Sequence, residues 1–246
     1  MTLTGRQVLV TGGGTGVGAD LARAFAAQGA RIVVAGRRLE PLLRVAGDLP
    51  DARAVQADVT DEASIRAMFT EAGPCDVVIA NAGASDSAPF GKVGLDHWNR
   101  MIAANLTGTF LTFREGLAQM TGWGRLIAVA STAGLKGYRY VAPYAAAKHG
   151  VIGMVRSLAL EVAKKPVTVN ALCPGFLDTE MTERSIANII GKTGASHDQA
   201  LAALTQSNPQ GRLVQPAEVS AAALWLCGAG SDAINGQAIA IAGGEV

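Results

Sequence analysis

Seven short apolar runs, at residues 7–10, 31–35, 52–57, 76–80, 125–130, 166–172 and 236–240, punctuate the chain. Most end in a cluster of Gly, Asp, Asn or Ser, and runs of this length with such boundaries are strands. The stretches between them carry apolar residues at helical spacing. The first, after Gly18, sets Leu21 and Phe25 on one side. Further helices are expected over 39–47, over 62–71 with Asp61 as N-cap, from about 96 to 120, from 144 to about 164, and from Pro216 to 226. Between 176 and 215 the pattern weakens and holds one amphipathic helix, around 197–205. Strands alternating with helices along the whole chain predict an α/β fold: a Rossmann-type doubly wound parallel sheet of about seven strands flanked by helices. The length suits one domain spanning 1–246.

The first strand stops at Thr11-Gly12-Gly13-Gly14-Thr15-Gly16-Val17-Gly18 and a helix follows at once. Glycines between a strand and a helix let a pyrophosphate approach the backbone, where the helix start offers free N–H groups. The second strand ends at Gly36-Arg37-Arg38, with no acid before Glu40. A carboxylate there would bind the 2′-hydroxyl of NAD(H), whereas a guanidinium suits a 2′-phosphate. The residues therefore favour NADP(H), with Arg37 on the phosphate and NAD(H) possible. The competing reading is two solvated surface arginines.

Tyr144 and Lys148 lie four residues apart, on one face of a helix. A phenol near its reference pKa of ~10 is a poor acid or base at neutral pH. An ammonium roughly 4–6 Å away lowers that value, and such a pair can shuttle a proton to a substrate oxygen. A bare Tyr-x-x-x-Lys is common, and the competing reading is two residues on a solvated face. Asn105 lies in the middle of an expected helix, where Asn is unfavourable, so it needs either an exposed position or a special role.

Composition adds exclusions. With 49% hydrophobic and 17% charged residues, a sizeable core can be buried. A net charge of +1 without like-charge blocks argues against nucleic acid or an anionic membrane as partner. No apolar run approaches the ~18 residues of a membrane span, and residues 1–6 hold no signal-peptide core, so a cytoplasmic protein is expected. Cys75, Cys173 and Cys227 match neither a disulfide nor a metal pattern, and read as buried free thiols. His97, His149 and His197 offer no zinc site, so no metal is expected.

Thr11-Gly12-x-x-x-Gly16-x-Gly18, Asp58, Asn81-Ala82-Gly83, Asn105, Ser131, Tyr144-x-x-x-Lys148 and Pro174-Gly175 occur in order. With them the chain resembles the short-chain dehydrogenase/reductase family over nearly its whole length. The resemblance implies hydride transfer between a nicotinamide cofactor and a ketone or secondary alcohol. It makes Tyr144 the general acid or base. Lys148 would bind the nicotinamide ribose, Ser131 hold the substrate oxygen, and Asn105 kink its helix and hold a relay water. Gly12, Thr15, Gly16, Val17 and Gly18 would form the pyrophosphate turn. Asp58 and the Val59 backbone would meet the adenine, Asn81 and Gly83 line the cofactor path, and Pro174, Gly175, Leu177 and Thr179 the nicotinamide pocket. Thr15 departs from the basic residue that many NADP-preferring members carry there, so only Arg37 and Arg38 of that signature are present.

The resemblance also makes 176–215 a substrate lid, with Met181, Ile186, Ile189, Ile190 and Leu201 as wall candidates. It extends to aromatic-polyketide ketoreductases and 3-oxoacyl-thioester reductases, which implies NADPH-dependent reduction of a 3-oxoacyl-type ketone. The alternatives are an NAD-dependent secondary alcohol or 3-hydroxyacyl-CoA dehydrogenase, and a non-catalytic nucleotide sensor. The apolar end, residues 238–246, together with the helices that hold Asn105 and Tyr144, implies a homotetramer.

Overall fold

In the computed structural model, which describes residues 2–246, seven strands form one parallel sheet. They are β1 (Gln7–Thr11), β2 (Arg31–Gly36), β3 (Ala52–Gln56), β4 (Val77–Ala80), β5 (Gly124–Val129), β6 (Val167–Pro174) and β7 (Ala238–Ile241), in the order β3-β2-β1-β4-β5-β6-β7. The chain winds outward from β1 in both directions, so the switch point lies between β1 and β4. The helices are α1 (Gly16–Ala26), α2 (Leu39–Gly47), α3 (Glu62–Ala72), α4 (Leu95–Ile102), α5 (Gly108–Gln119), α6 (Ala142–Glu161), α7 (Glu180–Thr193), α8 (His197–Thr205) and α9 (Pro216–Leu226).

The period of two along each strand splits the core into two layers. Leu9, Val78, Leu126, Ala128, Val169 and Ala171 face α3, α5 and α6. Val8, Val10, Val77, Ile79, Ile127 and Leu172 face α1, α2 and α9. Central strands covered on both faces read as unbroken apolar runs, which is why they stand out in the sequence. Among the described residues no helix is long and apolar enough to cross a membrane.

Two expectations need correction. The helix expected over about 96–120 is not continuous: a π-helical turn at Ala103–Thr107 separates α4 from α5. Residues 180–193, expected to be irregular, form α7, which ends at Gly194 with φ 69°. The other boundaries shift by a few residues at most. Asp61 caps α3 as expected, its carboxylate accepting from the Ala63 and Ser64 N–H groups.

Candidate active site

The carboxyl ends of the strands carry the candidate chemistry. After β1 the chain turns through Gly12 (φ 66°) and Gly16 (φ 52°) into α1. A Cβ on Gly18 would lie 2.1 Å from the Gly12 carbonyl oxygen and 2.6 Å from Asn81 Nδ2. No side chain fits there. Asn81 Nδ2 donates to the carbonyls of Thr11 (3.0 Å) and Gly12 (3.3 Å), fastening the turn to the end of β4 across the switch point. Thr15 precedes α1 but its side chain does not cap the helix, and the first turn holds no acid. The N–H groups and positive dipole end of α1 are therefore left for an anion. Val17 is buried, and Thr179 stands against Gly16, 3.4 Å from where a Cβ would be.

At the ends of β2 and β3 a cavity of about 420 Å³ is lined by Arg37, Gln56, Ala57, Asp58 and Ser64. Gln56 donates to the Arg37 carbonyl at 2.9 Å. Burial alone would raise the pKa of Asp58, but the N–H and hydroxyl of Thr60 and the Arg37 guanidinium outweigh it and hold the carboxyl below its ordinary value. Arg38 is exposed at the start of α2, outside this lining. Val59 packs its side chain against Gly108. A turn with no room for a Cβ, an uncapped helix start and a cavity bearing a guanidinium together fit a dinucleotide.

The second cluster lies at the ends of β4, β5 and β6. Ser131 follows β5, and its Oγ accepts from the Ala133 N–H at 3.1 Å. Tyr144 and Lys148 sit on the first two turns of α6, which Pro143 starts. Lys148 is buried and donates to the Val129 carbonyl at 2.9 Å. Burial pulls its ammonium down to about 8. Two of its three N–H donors have no protein hydrogen-bond partner among the described residues.

The expectation that Lys148 holds the Tyr144 phenol low is not met. Packing around the half-buried Tyr144 pushes its pKa above 10, and the Ser131 hydroxyl counteracts this only in part. Lys148 Nζ lies 5.6 Å from the ring centre and spends its hydrogen bond on Val129. Desolvation decides the phenol's value, and the ammonium is not among the groups that lower it.

Asn105 sits in the π-helical turn, fully buried. Asn105 Nδ2 donates to the Met101 carbonyl at 2.9 Å. The same amide donates to the Ala84 carbonyl at 2.9 Å and accepts from the Ala84 N–H at 3.2 Å. Asn105 thereby ties α4 to the loop after β4. A Cβ on Gly83 would meet Asn105 Oδ1 at 2.6 Å, so Gly83, Asn105 and Lys148 converge. Asn105→Leu strands these three backbone groups, so a loss of about 2–5 kcal/mol is expected. Urea unfolding measures it, and a change below about 0.5 kcal/mol, the scale of an ordinary surface substitution, would rule out this anchoring role.

Between β6 and α9, Leu177 bridges to Val214, and α7 and α8 lie in between. Of the wall candidates Ile186 is buried, Ile189, Ile190 and Leu201 are half-buried, and Met181 is exposed. Arg212 grips Glu218 of α9 through two contacts of 2.7 Å. That contact and the Gln215 N–H bring the Glu218 carboxyl down to about 2.

Several side chains to which the sequence assigned no role in the site belong to this region. Thr11 Oγ1 accepts from the N–H groups of Asn81 and Ala82, both at 3.1 Å. Cys173 is buried beside Ser131, and burial pushes its thiol up to about 11. All three cysteines are buried and free. Tyr138 contacts Thr132 and Glu245, and Lys136 pairs with Glu245. Thr11 could have been given its role from its place at a strand end; Glu245 carries no such signal.

Comparison with known proteins agrees with this geometry. Residues 6–189 match the family model of the short chain dehydrogenases. The chain is 34% identical to the 3-oxoacyl-(acyl-carrier-protein) reductase MabA of Mycobacterium bovis, covering 97% of this chain and 92% of the relative. It is 35% identical to a D-beta-hydroxybutyrate dehydrogenase of Cupriavidus necator, covering 99% of each. A crystal structure of an actinorhodin polyketide ketoreductase variant with NADPH superposes with a TM-score of 0.90 at 33% identity, covering 98% of this chain and 97% of that one. An oxidoreductase that joins a nicotinamide cofactor to an alcohol or ketone is what such a sheet end is built for, and the chain belongs to the short-chain dehydrogenase family.

Proposed function

We propose that the protein is an NADPH-dependent reductase of a 3-oxoacyl-type ketone. When the cofactor is bound, the chemistry it supplies is hydride transfer. The protein's residues handle the proton and the developing charge. Tyr144 donates its proton to the substrate oxygen, and Ser131 donates a hydrogen bond to the same atom, a preorganised site for the alkoxide. Lys148 would hold the nicotinamide ribose through its free N–H donors. Asn105 holds the loop on which Gly83 sits. Gly12, Gly16 and Gly18 take the pyrophosphate, Asp58 the adenine, and Pro174, Gly175, Leu177 and Thr179 the nicotinamide. Residues 176–215 close over the substrate as a lid on a single domain. The exposed Phe110 and Leu160, on α5 and α6, are consistent with assembly as a homotetramer.

The observation that carries the cofactor assignment is Arg37, which lines the cavity at the end of β2 where an NAD-binding site would place an acid. The reductases among the relatives support the substrate class. Fluorescence titration with NADPH and NADH tests the reading. Arg37→Ala is expected to weaken NADPH binding by roughly 10- to 100-fold, the scale of a lost charged hydrogen bond, and to leave NADH nearly unchanged. A preference for NADH that ignores Arg37 overturns the assignment. The second reading is an NAD-dependent dehydrogenase working in the oxidative direction: Thr15 favours its cofactor and the D-beta-hydroxybutyrate dehydrogenase relative its direction.

A further inference from the structure

Glu245 lies four residues beyond β7, and its side chain is 1% exposed. The tail reaches this position by a path with little slack. Gly175 N–H donates to the Ile241 carbonyl at 3.1 Å, fixing the end of β7 against the end of β6. The chain then turns through Gly243 (φ 62°) and Gly244 (φ 95°). A Cβ on Gly243 would lie 2.1 Å from Asn208 Oδ1, so the tail passes directly beneath the segment after α8.

At the end of this path the carboxylate meets three groups. Oε1 accepts from the Tyr138 hydroxyl and pairs with Lys136 Nζ at 3.0 Å. Lys136 Nζ also lies 3.4 Å from the Glu245 carbonyl. Oε2 is buried with no hydrogen-bond partner and rests against Gly175, 3.0 Å from where a Cβ would be. A carboxylate only accepts, so Tyr138 must donate to it. The second contact of the Tyr138 hydroxyl, 2.6 Å to Thr132 Oγ1, must then run the other way, with Thr132 donating. The chain of hydrogen bonds therefore has one direction, from Thr132 through Tyr138 to Glu245.

Thr132 is the residue after Ser131 and opens the short 3-10 turn Thr132–Gly134 that Ser131 Oγ caps. Tyr138 also stands edge-on to Phe176, with ring centres 6.1 Å apart, and Phe176 follows Gly175. One buried carboxylate thus touches both walls of the second cluster: the segment after β5 and the segment after β6. Burying a carboxylate is costly unless it is paired, so a surface tail gains nothing from placing it here. An acceptor fixed at this point does gain something, because a hydroxyl displaced by about 1 Å costs on the order of 100-fold in rate.

We propose that Glu245 is a positioning residue, which acts through Tyr138 and Thr132 to fix Ser131 and through Gly175 to fix the wall opposite. The proposal rests on the role given to Ser131 above. The test uses the full chain with NADPH and a bicyclic model ketone, and compares wild type with Glu245→Ala, Glu245→Gln, Tyr138→Phe and the double variant Tyr138→Phe/Glu245→Ala. Glu245→Ala is expected to lower kcat by on the order of tenfold or more, with KM and the NADPH affinity within about twofold. Glu245→Gln keeps an acceptor for Tyr138 and is expected to recover most of the loss. Tyr138→Phe is expected to match Glu245→Ala, and the double variant to fall no further, as for residues acting in series. Hydrogen exchange over residues 130–139 supplies a reading that does not depend on turnover. It is expected to accelerate about tenfold there, and at residues 175–177, in Glu245→Ala while exchange elsewhere is unchanged, a local opening. Unchanged exchange in that segment, or faster exchange throughout the protein, overturns the proposal. A wild type that turns over no ketone, with Tyr144→Phe losing nothing, instead overturns the function assigned above and leaves the exchange result to decide the role of Glu245.

Discussion

Tyr144→Phe is expected to remove turnover while leaving cofactor binding intact. The substitution deletes one oxygen and keeps the ring that packs at the start of α6. If Tyr144 is the proton donor, kcat falls by about 10²–10⁴-fold, the range for losing a positioned general acid. The fall is not deeper because Ser131 still donates to the developing alkoxide. The NADPH dissociation constant stays within about twofold, since the phenol oxygen is not a binding contact for the distant adenosine half. The pH dependence gives a second readout. Packing raises the Tyr144 pKa, so alcohol oxidation, which needs the phenolate, rises with pH through the alkaline range, while ketone reduction, which needs the phenol, does not. Tyr144→Phe should abolish that alkaline rise. Stopped-flow and steady-state assays across pH measure both effects. A variant that turns over at the wild-type rate would return Tyr144 to a packing role, and a wild type with no turnover to lose would favour a nucleotide sensor.

The second large effect concerns the turn after β1. Gly18→Val is expected to weaken NADPH binding by more than about 100-fold and to destabilise the free protein by roughly 1–3 kcal/mol, the cost of forcing atoms into a packed site. The neighbours of the new Cβ would be the Gly12 carbonyl oxygen at 2.1 Å and Asn81 Nδ2 at 2.6 Å, so no flexible side-chain end can swing aside alone. The turn has to open. Opening it breaks the two hydrogen bonds from Asn81 to Thr11 and Gly12 that hold β1 and β4 in relation to each other. It also moves the first N–H groups of α1 away from a common focus. Fluorescence titration and urea midpoints read the two losses separately. Normal NADPH affinity in this variant would contradict a pyrophosphate site at Gly12–Gly18.

The sheet was legible because its physics is local. Val8–Val10, Val77–Ile79 and Leu126–Val129 are covered on both faces, so each is an apolar run that a period of two or 3.6 need not be invoked to find. Asp61 was legible as a cap because the capping bond is made within three residues. The residues that failed to show themselves depend on contacts distant in sequence. α7 buries only Thr182 and Ile186, and Thr179 makes no side-chain cap, so neither its face nor its start is written in the sequence. The π-helical turn at Asn105 is tied to Ala84, twenty-one residues away, so the kink there came from the resemblance and not from the local pattern. The pKa of Tyr144 went the other way from the Lys148 spacing because packing, not the neighbour on the helix, decides it. Glu245 meets Tyr138 across 107 residues of chain, and nothing near residue 245 announces that meeting.

The switch point between β1 and β4 has one more consequence. The Arg37 cavity hangs from β2 and β3, on one flank of the sheet, while Ser131, Tyr144 and Lys148 hang from β5 and α6 on the other. Between β2 and β5 the sheet is three strand spacings wide, about 14 Å. Side chains that far apart that do not touch one another vary nearly independently. Selection can therefore exchange the rim of one flank without disturbing the other, and lineages built on this frame can trade their electron donor while keeping their chemistry, or change their chemistry while keeping the donor.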